Sequence, residues 1–293
     1  MTSRSEGHCR RDEVLGINRR NLECVAVRNP RRNFRNADDK VLAKEILGRA
    51  RLPTPRTVYV VDGRDRIDDC LERMRASAGC AIKPAEGFGG SGVKLVRPRG
   101  DGWQDASGVP LSDRDLAFHM ASILSGMFAL DRLSDRVLVE ELVQDHEVLQ
   151  RIHESRGVSD LRLILSEGRL VMAMLRLPTK RSGGAANLHA GGIGVGIDLE
   201  TGCTSHAIQD DRPVDAHPDT SHPLAGVELP FWAGISTLGP PLNDLFGLGY
   251  LGADVVIDAR RGPLLLEVNA RPGLSIQLAN REGLRALLES DEA

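Results

Sequence analysis

The sequence predicts an α+β protein of two lobes, and three observations carry that prediction. Helical and strand-forming stretches fall in separate blocks, not in the regular alternation that builds a parallel sheet. From about residue 158 the chain is strand-rich, with DLRLILS and RLVMAMLRLP flanking a turn at Glu167–Gly168. Near the carboxyl end, LGADVVID and PLLLEVN, joined by ARRG, read as a second hairpin.

The chain has 293 residues, 41% hydrophobic and 27% charged, enough to bury a core as one large domain or two intimate lobes. A net charge of −3 gives the whole protein no bias toward nucleic acid or membranes. Five cysteines, an odd count without paired two-residue spacing, fit inert thiols in a reducing compartment. No apolar run approaches the ~20 residues that span a bilayer. The start, MTSRSEGHCRRDE, lacks the apolar core of an export signal. The cytoplasm is therefore the expected location, and a homo-oligomer is left open.

Three segments are expected: a basic amino-terminal arm over 1–36, a first lobe over 37–143 and a second over 144–293. Arg10, Arg11, Arg19, Arg20, Arg28, Arg31, Arg32 and Arg35 crowd the arm, which reads either as solvated or as facing an anionic substrate. Asp38 is expected to cap a helix with Val41, Leu42, Ile46 and Leu47 on its apolar face, stopped by Pro53 and Pro55. TVYVV over 57–61 is a β-branched strand, followed by Ile67, Leu71, Met74 and Ala78 at helical spacing. CAIKP (80–84) and GVKLVRP (92–98) are strands flanking a glycine-rich loop. Ser112 and Asp115 open a helix through Leu130, and VLVEELV (137–143) is a strand. A polar loop over 209–224, a helix over 230–246 and a last helix near 275–289 complete the lobe.

The carboxyl-terminal hairpin carries the most chemistry. Alternation puts Glu267 and Asn269 on one strand face next to Arg271. Pairing 258 with 263 across the turn sets Asp254 opposite Glu267. Two facing carboxylates repel, and a hard cation between them reverses the sign, because Mg²⁺ takes oxygen ligands and keeps phosphates in its remaining positions. The hairpin therefore reads as a metal–nucleotide cradle.

The loop GFGGSG at 87–92 frees backbone N–H groups to approach an anion through Gly87, Gly89, Gly90 and Gly92, with Ser91 among them. It is neither a Walker loop nor a dinucleotide fingerprint, since a strand follows it. Taken alone it is as readily a mobile turn as a phosphate lid. Lys83, on an apolar strand, needs an anion or water, whereas Lys40 reads by periodicity as an ordinary helix lysine. Glu140 sits on an apolar strand and needs an amino group, a hydroxyl or a lysine unless that strand is a wet edge, with Glu141 on the other face. Asp160, Arg162, Arg176, Asn187 and His189 are the remaining polar candidates. In a flat hairpin Arg176 faces away from Arg162, and only a bulge or a turn-in at the strand end brings both to one site.

These residues, in this order, resemble the ATP-grasp enzymes. Lys40, Lys83, the GFGGSG lid, Glu140 and the set Asp254, Glu267, Asn269 and Arg271 carry the likeness. Asp160–Arg162, MLRLPT, NLHAGG and EVNARPG resemble the α-L-glutamate ligase-like branch related to ribosomal-protein glutamate ligases. The likeness spans about residues 14–288, and a short arm is expected in place of the α/β domain that precedes the first lobe in those ligases. The resemblance implies an ATP-grasp fold whose two α+β lobes clasp ATP. It implies Lys40 and Lys83 on the α/β-phosphates and Gly89–Gly92 over the β/γ-phosphates. Glu140, Glu141, Leu142 and Val143 would lie along the adenine hinge. Asp254, Glu267 and Asn269 would hold one or two Mg²⁺ (or Mn²⁺) ions. Arg271 and Arg176 would act on the transferring group, with Asn187 near the triphosphate. Asp160, Arg162 and His189 would face substrate. The implied reaction joins a small-molecule carboxylate to an amine through an acyl phosphate, adding an amino acid such as glutamate to an acceptor, with a peptide or protein among the acceptors considered. A phosphotransferase or a non-catalytic nucleotide binder on the same fold are the alternatives.

Overall fold

A computed structural model describes residues 12–87, 89–129, 134–155 and 157–289. Cys9, Arg10, Arg11, Phe88 of the glycine loop and Leu130 of the expected helix end lie outside the described residues. The chain divides into two compact units, one of residues 35–144 and one of residues 1–34 with 145–293.

The unit of 35–144 contains strands β1 (Thr57–Val61), β2 (Cys80–Pro84), β3 (Lys94–Arg99), β4 (Gly102–Asp105), β5 (Pro110–Leu111) and β6 (Val137–Glu141). They form one antiparallel sheet in the order β1-β6-β2-β3-β4-β5. Strand alternation gives the sheet two unlike faces. Cys80, Ile82, Val96, Val137 and Val139 pack with Leu71 and Met74 of the helix Ile67–Arg75 and with Leu116, Met120 and Ile123 of the helix Asp113–Leu124. The opposite face holds a smaller apolar cluster of Leu138 and Ala85 with Val41 of the helix Lys40–Arg49. It is this second face that carries Lys83 and Glu140.

Local signals set the helix starts. Ser112 and Asp115 form the expected capping box, the Asp115 amide donating to Ser112 Oγ at 3.2 Å and the Ser112 amide to Asp115 Oδ2 at 2.8 Å. Asp39, not Asp38, caps the helix Lys40–Arg49, accepting from the Val41 and Leu42 amides at 3.1 Å each. Asp38 instead ends the short helix Phe34–Asp38. A carboxylate must stand just outside the first helical residue to reach these donors, and Lys40 is that residue.

The second unit holds β7 (Asp160–Ser166), β8 (Arg169–Leu177), β9 (Ile193–Ile197), β10 (Thr204–Gln209), β11 (Arg212–Val214), β12 (Tyr250–Asp258) and β13 (Gly262–Asn269). Its antiparallel order is β11-β10-β9-β8-β7-β12-β13. One face buries Ile164, Met172, Met174, Ile208 and Tyr250 against Leu15, Cys24 and Val25 and against Ile276, Ala279, Leu284 and Leu288. The expected basic arm is thus not free along its described length. Leu15, Cys24 and Val25 give residues 12–34 an apolar side, and its burial outweighs the solvation of the flanking arginines.

Other boundaries moved. The helix expected over 230–246 is two, Trp232–Leu238 and Leu242–Phe246, interrupted around Gly239-Pro240-Pro241, where a proline removes the continuing N–H donor. The last helix also breaks in two, Ile276–Asn280 and Leu284–Glu289, at Arg281, whose φ is 51°. Strands β4 and β5 and the helix Glu147–His153 lie where no element was expected. Their segments are short and carry no sustained apolar period.

Asp39 also takes two contacts from Arg136 Nη2, at 2.7 and 2.6 Å. Asp39→Ala is expected to lower stability by about 1–2 kcal/mol through the lost cap. Asp38→Ala should cost about 0.5 kcal/mol or less, as an exposed position. Thermal unfolding of the two variants reads the difference, and equal losses would contradict the assigned cap.

Candidate functional site

In the unit of 35–144, β2 and β6 pair so that Ala81 faces Glu140 and Lys83 faces Leu138. Lys83 and Glu140 are therefore diagonal neighbours on one face, within reach for long side chains. Lys83 Nζ lies 2.5 Å from Glu140 Oε2, and Lys44 Nζ lies 2.5 Å from Oε1. Glu140 is only 1% exposed, so the expected lysine partner is present, and doubled. Burial alone would raise its pKa, but Lys83 and Lys44 outweigh burial and hold the carboxyl below its ordinary value. Lys44 was not singled out from the sequence. Its available signal was position four residues after Lys40, the same helix face.

Lys40 Nζ donates to Gly87 O at 2.9 Å, at the base of the glycine loop. Gly89, Gly90 and Gly92 have φ of 61°, 80° and 76°, which L side chains rarely adopt. Gly87 is required for a different reason: a Cβ there would lie 2.2 Å from Pro84 Cγ. Ser91 is exposed. Glu141 turns away to Arg56, at 2.5 Å, and Leu142 and Val143 follow β6, whose last residue is Glu141.

In the other unit, one row of side chains crosses three strands: Arg162 on β7, Asp254 on β12 and Glu267 on β13. Both hairpins reach this row through bulges. At the second turn Asp258 pairs with Gly262, not with Pro263, which in a flat ladder would put Leu266 opposite Asp254. The register shifts between Asp254 and Val255, Leu266 is the extra residue, and Glu267 faces Asp254 as expected. In the first hairpin the shift lies between Ile164 and Leu165, with Val171 the extra residue. That bulge pairs Arg176 with Asp160 and turns it to the face of Arg162.

The four charges form one network. Arg162 Nε and Nη2 donate to Asp254 Oδ1 and Oδ2 at 2.5 and 3.0 Å. Arg176 donates to Asp160 Oδ1 and Oδ2 at 2.5 and 2.8 Å and to Asp254 Oδ2 at 2.8 Å. Asn269 Nδ2 stands 3.5 Å from the same oxygen. Burial works against ionised Asp254, yet Arg162 and Arg176 pull its pKa well below the carboxylate range. For Asp160, burial and the nearby Asp254 charge win over Arg176, and its pKa is raised. Asp254 Oδ1 accepts a single hydrogen bond and keeps a lone pair, so Asp254, Glu267 and the Asn269 amide could together hold a hard divalent cation.

Three expected residues stand apart from this network. Asn187 serves its own loop, accepting from the His189 amide at 3.0 Å, and His189 is exposed. Arg271 is exposed, with its guanidinium carbon 4.6 Å from the Phe34 ring centroid. Among the described residues no group of three or more His, Cys, Asp or Glu could hold a metal, so a cation here depends on the asparagine. No helix of the described residues is long and apolar enough to cross a membrane.

A family model described as sugar-transfer associated ATP-grasp matches residues 19–293. None of the curated proteins matches in sequence. Among solved structures, biotin carboxylase from Campylobacter jejuni in its β,γ-ATP complex is 12% identical, with a TM-score of 0.54 over 88% of this chain and 46% of that one. The ATP-grasp ligase PsnB, with a phosphomimetic variant of its minimal precursor, Mg and ADP, is 15% identical, with a TM-score of 0.50 over 91% and 62%. D-cycloserine synthetase DcsG is 17% identical, with a TM-score of 0.49 over 88% and 71%. The chain spans 62% of the length of the first PsnB structures it matches. At these identities the likeness to biotin carboxylase and PsnB bears on the fold alone: ATP-grasp, with two antiparallel sheets and their helices.

Removing the shared guanidinium tests the network. Arg176→Gln leaves Asp160 without its guanidinium while Asp254 keeps Arg162, so one carboxylate charge of the buried network is uncompensated, at a cost of about 3 kcal/mol near pH 7. Without Arg176 both folded-state pKa values rise. Carboxyls with raised folded-state values favour the fold at low pH and lose that contribution as pH climbs. The penalty should therefore shrink as pH falls toward the unfolded value of about 4. Urea titrations at pH 7 and pH 4.5 measure it, and a pH-independent penalty would contradict the assigned pairing.

Proposed function

We propose, from the premise that this chain belongs to the sugar-transfer associated ATP-grasp family, that it is an ATP-dependent carboxylate–amine ligase. The observation that carries this reading is the pair Asp254 and Glu267, facing across adjacent strands with Asn269 on the same face and two guanidiniums against Asp254. Such a site offers hard oxygen donors and fixed cations, and the cluster contains no hydroxyl or thiol nucleophile. That suits chemistry in which reactants are positioned and charge is neutralised.

The donor set fits Mg²⁺ or Mn²⁺, held by Asp254, Glu267 and Asn269. A cation there, bound with ATP, supplies charge neutralisation at phosphate oxygens. Lys83 and Lys40 are assigned to the phosphates, and the amides of Gly89–Gly92 to closure over the β- and γ-phosphates. Glu140 fixes Lys83, and the backbone of Leu142 and Val143 is assigned to the adenine side, whereas Glu141 turns away to Arg56. Lys44 joins this set through Glu140. Arg176 and Arg271 are assigned to the transferring phosphoryl or acyl phosphate, and Asn187 to the vicinity of the triphosphate. Asp160 and Arg162 are spent on Arg176 and Asp254, so we give them the holding of those groups. His189, exposed on its loop, stays a substrate candidate.

In the reaction a substrate carboxylate oxygen attacks the γ-phosphorus and ADP leaves. The amine then attacks the acyl carbon, the C–O bond to phosphate breaks, and the nitrogen gives up a proton as the amide forms. Closure of the glycine loop excludes water, which would otherwise hydrolyse the acyl phosphate. PsnB is crystallised with a precursor peptide, which supports including peptides among trial acceptors. The family's association with sugar transfer supports including sugar-linked amines and acids.

The deciding experiment supplies acids and amines in pairs with Mg·ATP and follows ADP release with mass detection. ADP, free phosphate and a conjugate are expected; ADP with a phosphorylated product would identify a kinase instead. Lys83→Ala should weaken ATP binding at least about tenfold, the loss of one charge-assisted contact. Unaltered affinity in calorimetry would remove Lys83 from the site. Glu267→Ala should abolish turnover while the unfolding midpoint is kept, and persisting Mg²⁺-dependent turnover would refute its role.

A further inference from the structure

We propose that the amino-terminal segment is a positioning element of the site, acting through Asn29 and Phe34 on the loop that follows Asn269. This rests on the ligand assignment above and goes beyond it, because it gives residues 15–34 a role in the chemistry.

The loop over 270–274 begins directly after Asn269 and carries Arg271. Its backbone carbonyls are held largely by amino-terminal side chains. Asn29 is 3% exposed and its amide works on two elements at once. Oδ1 accepts from the Tyr250 amide at 2.9 Å, while Nδ2 donates to Tyr250 O at 2.7 Å and to Ala270 O at 3.3 Å. One side chain thus ties the first residue of β12, four before Asp254, to the residue next to Asn269. Arg20, 6% exposed, donates to Pro272 O at 2.6 Å and to Asn21 Oδ1 at 3.0 Å. A buried guanidinium held by neutral oxygens is a costly device for stability alone. Phe34 underlies the Arg271 guanidinium at 4.6 Å, a geometry that favours the cation over the ring face.

The far side of the loop is fixed as well. Pro272 packs over Gly252, where a Cβ would meet Pro272 Cβ at 2.6 Å and Arg162 Cδ at 3.4 Å. Gly252 pairs with Asn269 across β12 and β13. The loop is therefore clamped between the amino-terminal segment and the strand bearing Asp254, and the aim of Asn269 and Arg271 is set by both sides. Residues that orient ligands in this way commonly change metal affinity or activity about 10- to 100-fold when removed.

The test uses the full chain and Mn²⁺ as probe. Mn²⁺ binding in the presence of a non-hydrolysable ATP analogue is followed by electron paramagnetic resonance, and hydrogen exchange of the 269–274 backbone by mass spectrometry. Asn29→Ala should weaken Mn²⁺ binding about tenfold and speed exchange in 269–274. Phe34 is only half-buried, so Phe34→Leu keeps the fold testable if Asn29→Ala does not express. It should speed the same exchange and lower kcat with the affinity for ATP unchanged, and Phe34→Tyr should restore both. Unchanged Mn²⁺ affinity and unchanged loop exchange in both Asn29→Ala and Phe34→Leu would overturn the proposal even if the wild-type chain ligates. Faster exchange and weaker Mn²⁺ binding would uphold it even if no substrate pair yields a conjugate, in which case the ligase reading alone falls.

Discussion

Two buried carboxylates on neighbouring strands would split the carboxyl-terminal sheet if left alone. Asp160 and Asp254 remain because Arg162 and Arg176 donate hydrogen bonds to them, with Arg176 reaching both carboxylates. Removing either cation leaves uncompensated charge in a dry environment, and that penalty exceeds what an exposed ion pair contributes. The network is thus a structural requirement of the sheet before it is anything else. Glu267, directly across from Asp254, adds negative charge to the same row.

The two units separate core from charge in different ways. A sheet alternates its side chains, so one face can be surrendered to an apolar core while the other holds charge. In the unit of 35–144, Ile82 and Val139 face the core while Lys83 and Glu140 meet on the opposite side. In the other unit the division runs along the face itself. Ile164, Met172 and Tyr250 anchor it to helices, and Arg162 and Asp254 occupy its continuation. In both units the charged side chains sit on paired strands.

Much of this was legible in the sequence. The apolar strands, the Ser112–Asp115 box and both carboxyl-terminal hairpins follow from short-range pattern, which is also where backbone preference is decided. Lys83 and Glu140 were marked by a charge on an otherwise apolar strand, a mismatch that burial makes expensive. Lys44 escaped because a lysine on an amphipathic helix is ordinary unless a carboxylate is known to face it. The amino-terminal segment escaped because its arginines dominate its composition, while Leu15, Cys24, Val25 and Asn29 decide its packing.

The sequence by itself determined which residues alternate on each strand, where the turns fall and which charges are too costly to bury without partners. Those are local properties of backbone and side chain. Only the tertiary structure decided that Arg176 joins Arg162, and that Glu267 reaches the expected place opposite Asp254 through a bulge and not through the 258–263 pairing. Each outcome needs one extra residue, Val171 or Leu266, to be pushed out of the ladder. A bulge is a mismatch between two paired strands. It is set by what both strands pack against and leaves no mark on either segment read alone.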